Sequence, residues 1–418
     1  MTPTSYSEGG LAKSINGAVL PDAPDLARMR TERHARLQAQ MAAVGVDALL
    51  LLGTNPVGYT TGAEAPGADS GRAGLMRPVA LVVGGDPQPH LFTPYPEGAP
   101  ADLAGDHLHP AIYPELPDGA ASAAAALSEL VPAGGRLAVD ELPHPLAAVL
   151  DSYEITGASG VLGPARLVKT ADELACIRTA QSINETAMAQ VQPQLRPGVR
   201  QNELSAWFLE AIFDLGATGN GIDPIWQVMP ERLADGPWTT HGDVAFPTAS
   251  TDRILRAGDV IWVDTGIDWR GYASDFGRTW LVEAGAAPTP SGRQAAQFRR
   301  WDEVMAAVLS ILKPGVTALE LGRAAIDANG GTRPWIEHFY LAHGVGTESA
   351  EMPMIGTDLG DAFDDRMVMQ PGMVLVLEPV IWDEGAGGYR AEDIFAVTDD
   401  GWVALSDHPY DPYGERSW

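Results

Sequence analysis

The chain has 418 residues, 45% of them apolar, and a formal net charge of −28. That length exceeds one ordinary core, the apolar share excludes disorder, and the charge excludes nucleic acid and anionic membrane surfaces as partners. No run approaches the roughly 20 apolar residues of a membrane span, the N-terminal MTPTSYSEGGLAKSING lacks an apolar signal core, and the single cysteine, Cys176, excludes an intramolecular disulfide. Together these features predict a cytoplasmic protein.

In chain order, residues 1–23 are polar and read as an arm over the surface or over a partner subunit. Asp25 to Val44 carries Leu26, Met29, Leu37 and Met41 near helical spacing. Ala48 to Leu52 reads as a buried strand, and further strands follow at Pro78–Val83, His90–Phe92 and Arg136–Asp140, with an Ala-rich helix over Ala120–Leu130. Alternating strands and helices of this size predict an α/β domain over residues 1–160. Gly157, Gly160, Gly163 and Pro164 break the periodicity and mark the boundary. A second domain of α+β type then covers residues 161–418. It opens at Thr170, an N-cap with Glu173 in the capping-box position, and its first helix runs to Val191. Cys176 lies within this helical pattern and reads as a packed thiol.

An internal repeat divides the second domain. LRPGVRQNEL (Leu195–Leu204) and LKPGVTALEL (Leu312–Leu321) share six of ten positions. Each lies between two helical segments, Thr170–Val191 with Asn202–Leu215 and Ala295–Leu312 with Ala318–Asn329. Each pair precedes strand-rich sequence. Two such halves related by a pseudo-twofold would share one site between them.

The candidate site residues lie in that strand-rich sequence. VIWVDTGIDWRGYASDFGRTWLV (Val260–Val282) reads as a β-hairpin with a reversal near Gly271. Each arm holds a carboxylate where an apolar residue is expected, Asp264 in the first and Asp275 in the second. Either both face water at an edge, or pairing of the strands brings them together around a cation. His343 follows an aromatic and aliphatic run, Glu378 ends MVLVLEP, and Glu392 heads another apolar run. Two aspartates, a histidine and two glutamates form an oxygen-rich set. It suits two divalent ions of the Mn, Co, Fe or Zn kind better than a structural zinc.

VDTG, SDFGRTW, HGVG, PGMVLVLEP and YRAED, in this order, resemble the five motif blocks of the pita-bread metallopeptidase superfamily, which includes aminopeptidase P, prolidase, methionine aminopeptidase and the metal-free creatinase. NPVGYTTGA resembles the N-x-x-Y-x-T-G segment of aminopeptidase P-like proteins. The resemblance implies a creatinase/prolidase-like N-terminal domain and a pita-bread catalytic domain with internal pseudo-twofold duplication. It also implies that Asp264, Asp275, His343, Glu378 and Glu392 bind two metal ions, manganese among the candidates, with Asp275 and Glu392 bridging. The function implied is a dinuclear metal-dependent hydrolase resembling Xaa-Pro aminopeptidase or dipeptidase, which cleaves a C–N bond of a short peptide or small molecule. Glu378 would be general base as well as ligand, and the chain a homodimer.

Two auxiliary histidines of the peptidases are absent: the aligned positions hold Pro247 and Ala350. His241, in GPWTTHGD, and His338 are the substitutes, as catalytic proton carriers. The absences also favour an alternative on the same scaffold. That is a small-metabolite hydrolase of the ectoine or creatine type, or a lyase of the dimethylsulfoniopropionate type. Arg390 is expected to orient a ligand carboxylate or to pair with a substrate carboxylate.

Overall fold

The computed structural model describes residues 14–65, 75–229, 253–283, 289–336, 339–408 and 413. The chain forms two compact units, one of residues 25–166 and one of residues 167–418 together with residues 1–24. The first unit is built on a six-stranded sheet. Its strand order is Leu108–His109, His90–Phe92, Val79–Val83, Ala48–Leu51, Arg136–Val139, Glu154–Gly157. Ala48–Leu51 is buried along its whole length because both faces of the sheet are covered. Leu49 and Leu51 pack with Leu37 and Met41 of the helix Leu26–Val44. Ala48 and Leu50 pack with Ala120, Ala123 and Leu127 of the helix Pro117–Leu130 on the other face.

The boundary expected at 160/161 falls inside a helix, Ser159–Leu167, whose Val161, Leu162 and Ala165 belong to the core of the first unit. Packing of those three side chains overrides the helix-breaking tendency of Gly160, Gly163 and Pro164, so the first unit extends to Arg166. The arm expected at the N-terminus lies, from Ser14 on, against its own chain. Ser14 Oγ donates to Asp399 Oδ2 at 2.6 Å and the Asn16 amide to Asp399 Oδ1 at 2.7 Å.

The second unit consists of two helix-pair-plus-sheet halves, as the internal repeat predicts. In the first half, helices Ala171–Val191 and Gln201–Asp214 cover a sheet centred on the strand Val260–Trp269. That strand pairs with Gly219–Val228 on one side and with Tyr272–Ala273 and Phe276–Leu281 on the other. The hairpin reverses at Arg270 and Gly271, both at positive φ (51° and 76°), the signature of a tight two-residue turn. In the second half, helices Gly292–Ile311 and Ala318–Ala328 cover a five-stranded sheet. Its order is Glu351–Ile355, Ala342–Gly344, Val374–Leu377, Asp393–Val397, Trp402–Ala404. The Pro-Gly segments of the repeat connect the helices of each pair. The halves meet where Gly277 bridges Glu392, through an amide-to-carbonyl bond of 3.1 Å. Among the described residues no helix is long and apolar enough to cross a membrane.

Candidate metal centre

Strand register decides which side chains converge. Asp264 stands opposite Gly277 in the ladder. Asp275, two residues before Gly277, is therefore on the same sheet face as Asp264 and diagonal to it. Gly277 itself carries nothing, and a Cβ there would lie 2.6 Å from Cδ of Glu392. The missing side chain is the space through which Glu392, from the other half, reaches the two aspartates. Oxygens of Asp264, Asp275 and Glu392 lie within 4.8 Å of one another. His343, on Ala342–Gly344, and Glu378, directly after Val374–Leu377, come from neighbouring strands of the second half. His343 Nε2 lies 3.2 Å from Asp275 Oδ2 and 3.3 Å from Glu378 Oε1. The five candidate residues thus converge on one point, and all five are buried.

The polarity of the set is lopsided. Burial, with Asp264 and Glu378 adding to it, holds the Asp275 carboxyl well above the usual range. Burial does the same to Glu392, and Arg390 only partly opposes it. Glu378 is also raised by burial, against the pull of Arg390 and His343. Asp264 Oδ1, Glu378 Oε1 and Glu392 Oε1 are buried and accept no hydrogen bond from a described residue, while Glu392 Oε2 meets Arg390 as an ion pair. Unsatisfied buried carboxylate oxygens of this kind require a cation or protons. His343 adds a nitrogen in the correct form: its Nδ1 donates to the Gly344 carbonyl at 2.9 Å, which leaves the Nε2 lone pair facing the carboxylates. The donor set fits divalent metal ions.

Arg390 is the resident counter-charge. It is 2% exposed, and its guanidinium donates to Asp264 Oδ2 at 3.1 Å and to Glu378 Oε2, with Glu392 Oε2 at 2.6 Å. Its carbon sits 4.0 Å above the Trp262 ring. Burial disfavours its charge, but Glu392, Glu378 and Asp264 outweigh burial and its pKa lies above the ordinary value. Of the two roles expected from the sequence, the geometry gives the first, orienting carboxylates.

Other supports were not read from the sequence. Gln181 Oε1 accepts from the Asp275 amide at 3.1 Å, and Asn184 Nδ2 donates to the Thr265 carbonyl at 2.7 Å. Arg278 Nη1 donates to the Glu392 carbonyl at 2.7 Å, and Thr279 Oγ1 to that of Arg390 at 2.7 Å. The one available signal was Arg278 itself, a charge inside an apolar strand. Gln181 and Asn184 look like ordinary polar helix positions.

The site opens into a cavity of about 290 Å³. Asp264, Asp275, His343, Glu378 and Arg390 line it together with Ile222, Ile225, Phe339, Tyr340, Ser349 and Ala350. Ala350 thus stands in the cavity wall, where it has no proton to give. His241, His338 and Pro247 lie outside the described residues. Glu351, next to Ala350, forms a buried ion pair with Lys169 Nζ at 2.7 Å.

Residues 33–168 match the model of the creatinase/prolidase N-terminal domain, and residues 175–399 that of metallopeptidase family M24. The chain is 31% identical over 299 residues to the probable dipeptidase PepE of Mycobacterium tuberculosis, covering 70% of each chain. It is 28% identical over 243 residues to an Xaa-Pro dipeptidase of Pyrococcus furiosus, covering 58% of this chain and 63% of that one. Among solved structures, dipeptidase PepE from Mycobacterium ulcerans superposes with a TM-score of 0.71 at 25% identity, over 93% of this chain and 98% of the other. An Xaa-Pro dipeptidase from Bacillus anthracis also gives 0.71, at 23% identity, over 91% and 99%, and shows the same pita-bread fold. The chain belongs to metallopeptidase family M24 and is a metal-dependent hydrolase.

Proposed function

We propose that the chain is a dinuclear metal-dependent peptidase that hydrolyses an amide bond in a short peptide. The observation that carries this reading is the convergence of five buried ligand-type side chains, four of which line one cavity, with three carboxylate oxygens that neither accept a hydrogen bond from a described residue nor pair with Arg390. Asp264, Asp275, His343, Glu378 and Glu392 would hold the ions, with Asp275 and Glu392 shared between them. When bound, two divalent ions of the Mn, Co, Fe or Zn kind supply Lewis acidity at the carbonyl and a water of lowered pKa.

The remaining work belongs to the chain. Glu378 takes the proton that the attacking water gives up. Arg390 fixes the carboxylates of Asp264, Glu378 and Glu392 relative to one another. The leaving amine needs a proton, and Ala350 supplies none. Tyr340 lines the cavity, and burial, with Glu378 and Asp275, holds its phenol above the ordinary range, so it stays a donor. His241 and His338 are the imidazoles assigned to the same transfer. The names of the relatives, dipeptidase and Xaa-Pro dipeptidase, support a dipeptide as substrate.

Ala350 in the cavity wall favours a second reading, a hydrolase or lyase acting on a small metabolite. Metal analysis with a substrate panel separates the two. The purified protein should hold close to two ions per chain, and chelation should lower its melting temperature. Cleavage of Xaa-Pro or other dipeptides supports the first reading. Turnover only of ectoine, creatine or dimethylsulfoniopropionate supports the second. A protein that binds none of these ions and gains no stability from them refutes the dinuclear centre.

A further inference from the structure

One carboxylate of the cavity belongs to neither the metal-ligand set nor its supports. Asp223 lines the cavity together with Ile222 and Ile225 but is exposed, and it makes no hydrogen bond or ion pair to a described residue. Its position is built into the sheet. The ladder pairs Ile225 with Asp264 and Ile222 with Gly266, so Asp223 and Pro224 together stand against Thr265 alone. Two residues facing one make a β-bulge, a device that re-aims a side chain beside a site. Pro224 has no amide hydrogen to give the ladder, which suits it to that irregular position.

The charge of the cavity is one-sided at this rim. Among the described residues its one cationic side chain is Arg390, buried and already bonded to Asp264, Glu378 and Glu392. A second carboxylate on the substrate therefore finds no free described cation, whereas a positive side chain finds Asp223. Phe339 and Tyr340, stacked at 4.3 Å, line the same cavity, and aromatic rings also favour a cation. The net charge of −28 draws cations toward the molecule as a whole.

We propose that Asp223 is a specificity-determining residue and that the cavity selects short peptides with a basic side chain, lysine or arginine, over neutral and acidic ones. This rests on the peptidase reading, so the test separates binding from cleavage. The probes are hydroxyethylene isosteres of Arg-Ala, Lys-Ala, norleucyl-Ala and Glu-Ala, which keep the α-amine and cannot be cleaved. Their affinities are measured by calorimetry on the metal-loaded full chain. A charge pair at a solvent-facing rim is worth about fivefold in affinity.

The arginine and lysine probes should bind about that much more tightly than the norleucine probe, and the glutamate probe more weakly than either. Asp223→Asn should bring the ratio of arginine to norleucine close to unity, and Asp223→Glu, which keeps the charge, should preserve it. Melting temperatures of both variants establish that they are folded. An unchanged ratio in Asp223→Asn overturns the proposal, as does a glutamate probe that binds as tightly as the arginine probe. The parent peptides are assayed for cleavage alongside. Cleavage without the basic preference removes this proposal alone. The preference without any cleavage supports it and removes the peptidase reading.

Discussion

A methyl group at position 277 would lie 2.6 Å from Cδ of Glu392, in the gap where the two halves exchange a backbone hydrogen bond. Gly277→Ala should therefore push Glu392 away from Asp264 and Asp275 while leaving the hairpin paired. Displacing a group that orients a metal site costs roughly 10–100-fold in metal affinity. Calorimetric titration with manganese should show a loss of that order, with far-ultraviolet circular dichroism unchanged. The two aspartates should behave differently from one another. Asp275→Ala removes a shared carboxylate and should lose both ions, whereas Asp264→Ala should retain one. Metal content after gel filtration checks this, and equal retention in both variants contradicts the shared role of Asp275. These residues were legible because each is a charge where the strand pattern demands an apolar side chain. Gln181 and Asn184 were not, since a polar residue on a helix announces nothing until its partner is known.

At the scale of elements, the capping box at Thr170 does more than start a helix. Thr170 Oγ1 accepts from the Glu173 amide at 3.1 Å, and Glu173 Oε2 accepts from the Thr170 amide at 2.7 Å. Glu173 Oε1 accepts in addition from the Tyr272 hydroxyl at 2.9 Å, which ties the helix to the return arm of the hairpin. Thr170→Ala should lose about 1 kcal/mol, the usual value of a cap. Glu173→Ala gives up the tie to Tyr272 as well and should lose about 2 kcal/mol. Urea denaturation of the two variants gives the comparison. This cap was readable from four residues, because its chemistry is local. The helix Thr54–Thr61 was not, since Pro56, Gly58 and three threonines are poor helix formers. Burial of Val57 and Tyr59 holds it in place. The strand Glu154–Gly157 escaped for the opposite reason: it is a mostly exposed sheet edge and carries no apolar pattern.

For the molecule as a whole, stability carries a pH dependence at a carboxyl that is not itself a candidate metal ligand. Burial first, and Asp393 second, push the Glu185 carboxyl from 4.5 up to about 7, although the Asp407 amide donates to it at 2.9 Å. The folded chain thus keeps a proton that the unfolded chain releases at lower pH. Its contribution to stability is greatest below pH 4.5, declines as pH rises, and levels off above about 7. Glu185→Gln is neutral throughout and removes this decline. The melting temperature of the variant relative to wild type should rise between about pH 4.5 and about pH 7, by an amount equivalent to at most about 3 kcal/mol. A constant difference over that range would show that Glu185 does not titrate in the folded state. The duplicated architecture behind this network was visible in the repeated Pro-Gly segments. The boundary at Arg166 was hidden because Gly160, Gly163 and Pro164 lie within a helix that the packing of Val161, Leu162 and Ala165 holds.

The clasp between the arm and Asp399 has a consequence for how the protein is made. Ser14 and Asn16 leave the ribosome before the residue that receives them, which is synthesised some 385 positions later. Throughout that interval the whole of residues 25–166 has appeared and can fold as its own unit. The arm must wait, because its docking place is the loop after Val397 on the strand Asp393–Val397, which also follows Glu392. Among the earliest described residues to emerge are therefore some of the last to find their seat, and they do so only once all five residues of the candidate metal centre have been translated.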